Sequence, residues 1–135
     1  MRRMSGLGAA LGAAVVSLSG PVVAQGQPRP NLVLREAVEG MPKGERQEVQ
    51  VLTATIAPGQ STPFHTHRFP VTVYVMEGAF TLEMEGRETV TVRAGRSMVE
   101  PPNVKMTGHN RGTEPTRVVI IYVADPGTPF FDPVH

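Results

Sequence analysis

Short apolar segments, rich in β-branched residues and bounded by glycine and proline, recur along most of the chain. The segment Phe80–Glu85 alternates apolar and polar residues, which is typical of a strand with one buried face and one face toward water. No capped amphipathic stretch is long enough to predict a helix. The sequence predicts strands over Leu32–Val38, Val49–Ala57, Val71–Glu77, Phe80–Glu85, Glu88–Val92, Met98–Glu100 and Thr116–Ala124. Their spacing predicts an all-β sandwich or barrel.

The end of the chain differs from the other segments. Thr116–Ala124 is continuously apolar over most of its length, which predicts a strand buried on both faces or covered by a second subunit. Residues 126–135 carry three prolines and two adjacent phenylalanines. We expect this C-terminal tail to pack on the domain or on a partner.

The first 24 residues have the features of a secretory signal peptide. Arg2 and Arg3 precede a small apolar run, and Val22-Val23-Ala24 suits a signal peptidase. The run is shorter than the roughly 20 apolar residues that span a membrane, so stable membrane insertion is not expected. We therefore predict cleavage after Ala24 and a periplasmic or secreted protein. Residues 25–31 are polar and predict an exposed spacer before a barrel over residues 32–125.

Composition limits what the mature chain can do. Cleavage after Ala24 would leave 111 of the 135 residues, which is enough for one domain and too few for two. The cleaved chain loses two of its 13 basic residues and keeps 12 acidic ones, so the net charge changes from +1 to −1. This balance gives no basis for binding nucleic acid. The absence of cysteine excludes disulfides and thiol chemistry.

The most informative segment runs from Gly59 to Gly78 and contains two histidines, His65 and His67, one residue apart. Side chains alternate along a strand with a period of two, so both histidines point to the same face. Two imidazoles on one strand face can reach a single metal ion. The segment therefore predicts half of a metal site.

This segment resembles the first motif of the cupin family, Gly-x5-His-x-His-x3-Glu-x6-Gly, except that Val71 stands at the glutamate position. Residues 95–110 resemble the second motif, Gly-x5-Pro-x-Gly-x2-His-x3-Asn, with Asn103 replacing the middle glycine and Met106 replacing the histidine. The resemblance implies a single cupin barrel, a double-stranded β-helix or jelly roll. It implies a homodimer as well, because small cupins commonly pair through their sheets.

If the cupin register holds, His65, His67 and Met106 converge in the barrel as ligands of a transition metal ion. This set has no carboxylate and includes a thioether, which favours a soft ion such as copper. One alternative is a metal-free pocket for a small apolar or anionic molecule. The residues predicted to line that pocket are Phe64, Val71, Val73, Phe80, Leu82 and Met106. A second alternative is a metal-dependent oxidoreductase or isomerase. Since only two ligands follow from the motifs, the sequence favours binding over catalysis.

Three further polar residues lie near these motifs. His109 follows Met106 by three positions, so on a regular strand it faces the opposite side and we expect it to point outward. Glu100 precedes Pro101 and Pro102, where it could supply a carboxylate to the mouth of the barrel, although a solvated edge charge is the expectation that we favour. Arg68 is expected to pair with a surface glutamate.

Overall fold

Residues 48–133 form nine strands in a computed structural model that describes residues 5, 6, 8–22 and 25–135. The strands are β1 (Glu48–Ile56), β2 (His65–Thr66), β3 (Val71–Glu77), β4 (Ala79–Met84), β5 (Val90–Arg93), β6 (Ser97–Glu100), β7 (Met106–His109), β8 (Thr116–Ala124) and β9 (Asp132–Pro133). The described part of the chain contains no helix, which confirms the all-β prediction.

Two antiparallel sheets make up the barrel. One has the order β1-β8-β3-β6, and the other has the order β5-β4-β7-β2-β9. The core lies between them and is formed by side chains that point inward at alternate positions along the strands of both sheets. Along β3, Val71, Val73 and Val75 are buried while Thr72 and Tyr74 are only half-buried, as the two-residue period requires.

Residues 1–30 and residues 31–135 form separate units. The described residues before Asn31 are exposed and form neither strand nor helix. The predicted signal peptide lies partly outside the described residues, since positions 1–4, 7, 23 and 24 are not among them. None of the described residues forms a helix long and apolar enough to cross a membrane.

One predicted strand is wrong, and the burial of another is narrowed. Leu32–Val38 pairs with no strand; Leu34 and Val38 instead line a groove against the outer face of the four-stranded sheet. β8 has the predicted bounds and is central in its sheet, but Ile121 is 41% exposed, so of the two predicted environments burial on both faces within one chain is wrong and cover by a second subunit stays a prediction. His65 and Met106 lie on the short strands β2 and β7, which the motif argument assumed but the search for apolar runs did not find.

Close packing of backbone against an aromatic ring fixes the middle of β7. A Cβ added to Gly108 would lie 2.5 Å from a ring carbon of Phe80 on β4. Only glycine therefore fits between these strands, and the Phe80 ring can lie over β7.

Gly108→Ala should destabilise the fold by about 1–3 kcal/mol, because the new methyl group displaces a buried ring. Gly112→Ala is the matched control, since its Cβ would meet nothing closer than Asn110 Oδ1 at 3.4 Å. Urea unfolding of both variants measures the difference. Equal midpoints would contradict the packing described here.

Candidate metal centre

Two short pieces of chain bring the motif histidines to the barrel interior. His65 lies in β2, and His67 follows directly after β2. The main-chain N–H of Asn103 donates to the carbonyl of His67 at 2.7 Å. Asn103 has a φ of 59°, the left-handed conformation that asparagine tolerates better than most residues. Asn103 thus takes the conformation for which the family motif uses glycine, and it anchors the chain at His67.

His65, His67 and Glu100 form one buried cluster. The two Nε2 atoms are 3.1 Å apart, and His67 Nε2 is 3.1 Å from Glu100 Oε2. One ligand atom from each residue lies within 4.8 Å of the others. Nitrogens that share one ion at about 2.0–2.1 Å each can be at most roughly 4 Å apart, so the two imidazoles fit a common ion. The cluster could hold a metal ion.

Hydrogen bonds determine which imidazole nitrogens are free. His65 Nδ1 is 2.6 Å from the carbonyl of Pro63, and His67 Nδ1 is 2.6 Å from the carbonyl of Phe130. A carbonyl only accepts, so both Nδ1 atoms carry protons; in the neutral form of each ring the lone pair is then on Nε2, which faces the other imidazole and Glu100. A proton on His67 Nε2 would satisfy part of this arrangement, whereas a metal ion would satisfy all three groups. Metal-binding histidines commonly donate their second ring N–H in this way.

Glu100 is a ligand candidate: of the two sequence-based alternatives, the favoured solvated edge charge is wrong, and the carboxylate directed at the barrel is the one observed. The residue is buried, and its partner across β3 and β6 is Val71, the position where the family motif has glutamate. Directly opposed residues of an antiparallel pair lie on the same face with Cβ atoms about 4.5–5.5 Å apart. The carboxylate therefore enters the same part of the barrel from the neighbouring strand. The sequence did contain one indication that Glu100 is buried. Met98, an apolar residue two positions earlier on β6, lies on the same face of the strand and is itself buried.

An apolar cavity of about 140 Å³ adjoins the cluster. His65, His67 and Glu100 supply its ionisable groups. Its apolar wall includes Ile56, Val73, Phe80, Val118, Phe130 and Phe131. The cluster therefore faces a largely hydrophobic space.

The residues predicted to line the pocket separate into three groups. Val73 and Phe80 line the cavity. Val71 and Leu82 are fully buried in the core but lie outside the cavity wall. Phe64 is 43% exposed and lies outside the cavity, because it directly precedes His65 and so faces the opposite side.

Met106 is fully buried on β7 and pairs directly with His65 on β2. This register places the two side chains on the same face of the five-stranded sheet. The residue belongs to the hydrophobic core and is not part of the cavity wall. Its assignment as a ligand stays a prediction.

His109 lies outside the cluster. Its Nδ1 is 2.7 Å from Ser61 Oγ, and its Nε2 is 3.2 Å from Glu83 Oε2. The sequence showed no serine–histidine–acid grouping, because these residues are distant along the chain and meet only through strand pairing. None of the three lines the cavity beside the cluster.

Comparison with known proteins identifies the family. A family model described as Cupin domain matches residues 52–122, which is more than half of the chain. The chain belongs to the cupin family. This confirms the family and the barrel fold expected from the two motifs. No curated protein matches the sequence significantly.

Solved structures share the cupin fold. A conserved protein with a double-stranded β-helix domain from Klebsiella pneumoniae is 22% identical, with a TM-score of 0.56 over 76% of this chain and 91% of that one. A cupin from Methanocaldococcus jannaschii is 20% identical, with a TM-score of 0.54 over 69% and 94%. A structure of DMSP lyases is 15% identical, with a TM-score of 0.56 over 64% of this chain and only 44% of that one. At these identities the likeness shows the fold alone.

Burial sets the titration of His65. Desolvation lowers its pKa below the ordinary value of 6.5; the neighbouring His67 also lowers it, while the hydrogen bond to Pro63 and the charge of Glu100 oppose the shift. The unfolded chain therefore binds more protons than the folded chain between the folded pKa and about 6.5, and the free energy of unfolding rises with pH there. Stability should be complete above pH 6.5 and fall as the pH drops through this window.

This dependence is measured as the melting temperature of metal-free protein, in the presence of a chelator, between pH 5 and pH 8. His65→Gln should flatten the profile across the window, because the side chain that gains a proton on unfolding is removed. An unchanged slope in this variant would contradict the assignment.

Proposed function

We propose that this cupin binds a divalent transition metal ion through His65, His67 and Glu100, and that the ion contacts a small ligand in the adjoining cavity. The observation that carries the proposal is the pair of hydrogen bonds from both Nδ1 atoms to main-chain carbonyls. With both Nδ1 atoms used in this way, the Nε2 atoms of the two rings point at each other and toward the Glu100 carboxylate. A cation at this point relieves the mutual repulsion of the three groups.

The donor set indicates the class of metal. Two imidazoles and one carboxylate bind Zn²⁺ in known catalytic sites and Fe²⁺ in oxygenases. Copper was favoured on the sequence because no carboxylate was expected, and buried Glu100 removes that reason. The copper alternative now rests on Met106, whose pairing with His65 supports a thioether ligand on the same sheet face.

The cavity limits the size and chemistry of the ligand. A cavity of about 150 Å³ holds a molecule the size of benzene, so about 140 Å³ suits a compact, largely apolar ligand of similar size. Three protein ligands leave coordination positions for it. This third ligand also removes the sequence-based reason to disfavour catalysis, so a metal-dependent oxidoreductase or isomerase is the second candidate function.

We further propose export, which is supported by the charge and hydrophobicity of residues 1–24. The proposal of a homodimer rests on an apolar patch outside the four-stranded sheet. Val49 and Val51 on β1 are 64% and 66% exposed and pair with Val123 and Ile121 on β8. A second copy placing the same patch against this face would bury it symmetrically.

Protein purified without an affinity tag should contain close to one equivalent of metal by elemental analysis. Replacing both histidines by alanine should abolish binding. Glu100→Gln should lower affinity at least about 100-fold, because loss of a direct ligand exceeds the effect of losing an outer partner. His109→Ala is the control, since this histidine lies outside the cluster. Full metal content in the folded double variant would refute the site.

The choice between metals is tested by loading metal-free protein with Zn²⁺, Fe²⁺ or Cu⁺ and comparing it with Met106→Leu. Selective loss of Cu⁺ affinity in this variant would support thioether ligation. Unchanged affinity for all three ions would assign Met106 to packing.

Val51→Lys should convert a dimer to a monomer in sedimentation analysis, because it places a charge in the centre of the apolar patch. Val90→Lys, on β5 of the other sheet, is the control. A monomeric unmodified protein would contradict the proposed dimer.

A further inference from the structure

The last residues of the chain form a strap, defined here as residues 128–134, that joins the two sheets beside the cavity. At one end, Gln50 Nε2 on β1 donates to the carbonyl of Thr128 at 3.2 Å. At the other end, β9 pairs with β2, and the main-chain N–H of Val134 donates to the carbonyl of Phe64 at 2.9 Å. The strap is thus attached on both sides of the cluster.

The strap contacts both imidazoles of the cluster. The carbonyl of Phe130 accepts the Nδ1 proton of His67 at 2.6 Å, and the ring of Phe130 lies 4.9 Å from the His67 ring. The ring of Phe131 lies 5.5 Å from the His65 ring in an edge arrangement. Phe130 also packs edge-on against buried Tyr122 at 5.6 Å, which fixes its position. The orientation of His67 therefore depends on a residue 63 positions later in the chain.

A bidentate ion pair holds the strap next to the cluster. Arg68, directly after His67, donates from Nε and Nη2 to the two carboxylate oxygens of Asp132, both at 2.9 Å. These hydrogen bonds hold the pKa of Asp132 below its ordinary value, so the carboxylate stays charged well into the acidic range. The pair is partly exposed, with 54% of the Arg68 side chain accessible. It can therefore open without unfolding the barrel.

We propose that the strap is a positioning element of the metal centre, in which the Phe130 carbonyl selects the His67 tautomer and the Arg68–Asp132 pair keeps the strap closed over the ion. The proposal rests on the proposed metal site. A closed strap keeps Nε2 of His67 directed at the ion and places two phenyl rings beside it. Opening the strap frees His67 to rotate and to protonate at either nitrogen, and gives the ion a route to solvent.

Removing residues 130–135 should lower Zn²⁺ affinity about 10- to 100-fold, the usual effect of losing an outer hydrogen-bond partner of a ligand. Arg68→Ala, in the full-length chain, should speed Zn²⁺ release to a chelator by about two- to five-fold while leaving the barrel folded. Arg117→Ala is the matched control, because Arg117 is 51% exposed and pairs with Glu77 on the four-stranded sheet. Unchanged affinity after truncation, together with equal release rates for both arginine variants, would overturn the proposal.

A second readout is independent of metal. In metal-free, intact protein, long-range ¹H–¹⁵N spectra should show His67 as the Nδ1–H tautomer with a slowly exchanging proton. Truncation should replace it with a mixture of tautomers, which loss of packing alone at a distant site would not produce. An unchanged His67 spectrum after truncation would contradict the positioning role. If intact protein binds no Zn²⁺, the metal site itself fails, and this spectrum still decides whether the strap controls His67.

Discussion

Two main-chain carbonyls set the chemistry of this barrel, because each accepts the Nδ1 proton of one buried histidine. Because Pro63 and Phe130 hold the Nδ1 sides of the rings, the Nε2 atoms of His65 and His67 face each other, 3.1 Å apart. Two imidazole lone pairs and a carboxylate that converge in a buried site are unfavourable unless a proton or a cation lies between them. A cation between the two Nε2 atoms and the Glu100 carboxylate makes the arrangement favourable. The two hydrogen bonds to main-chain carbonyls therefore favour the binding of a cation at this cluster.

Strand pairing supplies the third member of the cluster. The family motif would place a carboxylate at position 71, but Val71 occupies it and contributes only to the core. Glu100 lies opposite Val71 across β3 and β6 and restores a carboxylate to the same region. A carboxylate can thus reach this part of the barrel from the neighbouring strand with the same fold, because cross-strand partners share a face.

Local patterns and motif spacing predicted the fold. The same local patterns do not show which segments pair, and this explains the strand that was predicted wrongly. Regular alternation in β4 and the apolar length of β8 predicted strands close to those observed, and the spacing of Gly59, His65, His67 and Gly78 indicated the barrel. Leu32–Val38 has the same composition as a strand but finds no hydrogen-bonding partner, which a local pattern cannot reveal. Side chains alternate between the two faces of a strand. This alternation places His67 on the same inward face as His65, and it places Phe64, which directly precedes His65, on the outward face.

The site was less predictable because two of its determinants are non-local. Glu100 depends on the register of β3 against β6, and the partner of His67 Nδ1 lies in the C-terminal strap. Arg68 likewise pairs with Asp132 of the strap and not with a surface glutamate. Each contact joins segments that are distant along the chain, so neither periodicity nor motif spacing encodes it directly.

Metal binding at this cluster is tested by a crystal structure of metal-loaded protein with anomalous diffraction recorded on both sides of the metal absorption edge. We predict one strong anomalous peak within about 2.0–2.2 Å of Nε2 of both His65 and His67 and of a Glu100 carboxylate oxygen. A peak at His109 and Glu83, or no peak in the barrel of fully loaded crystals, would contradict it.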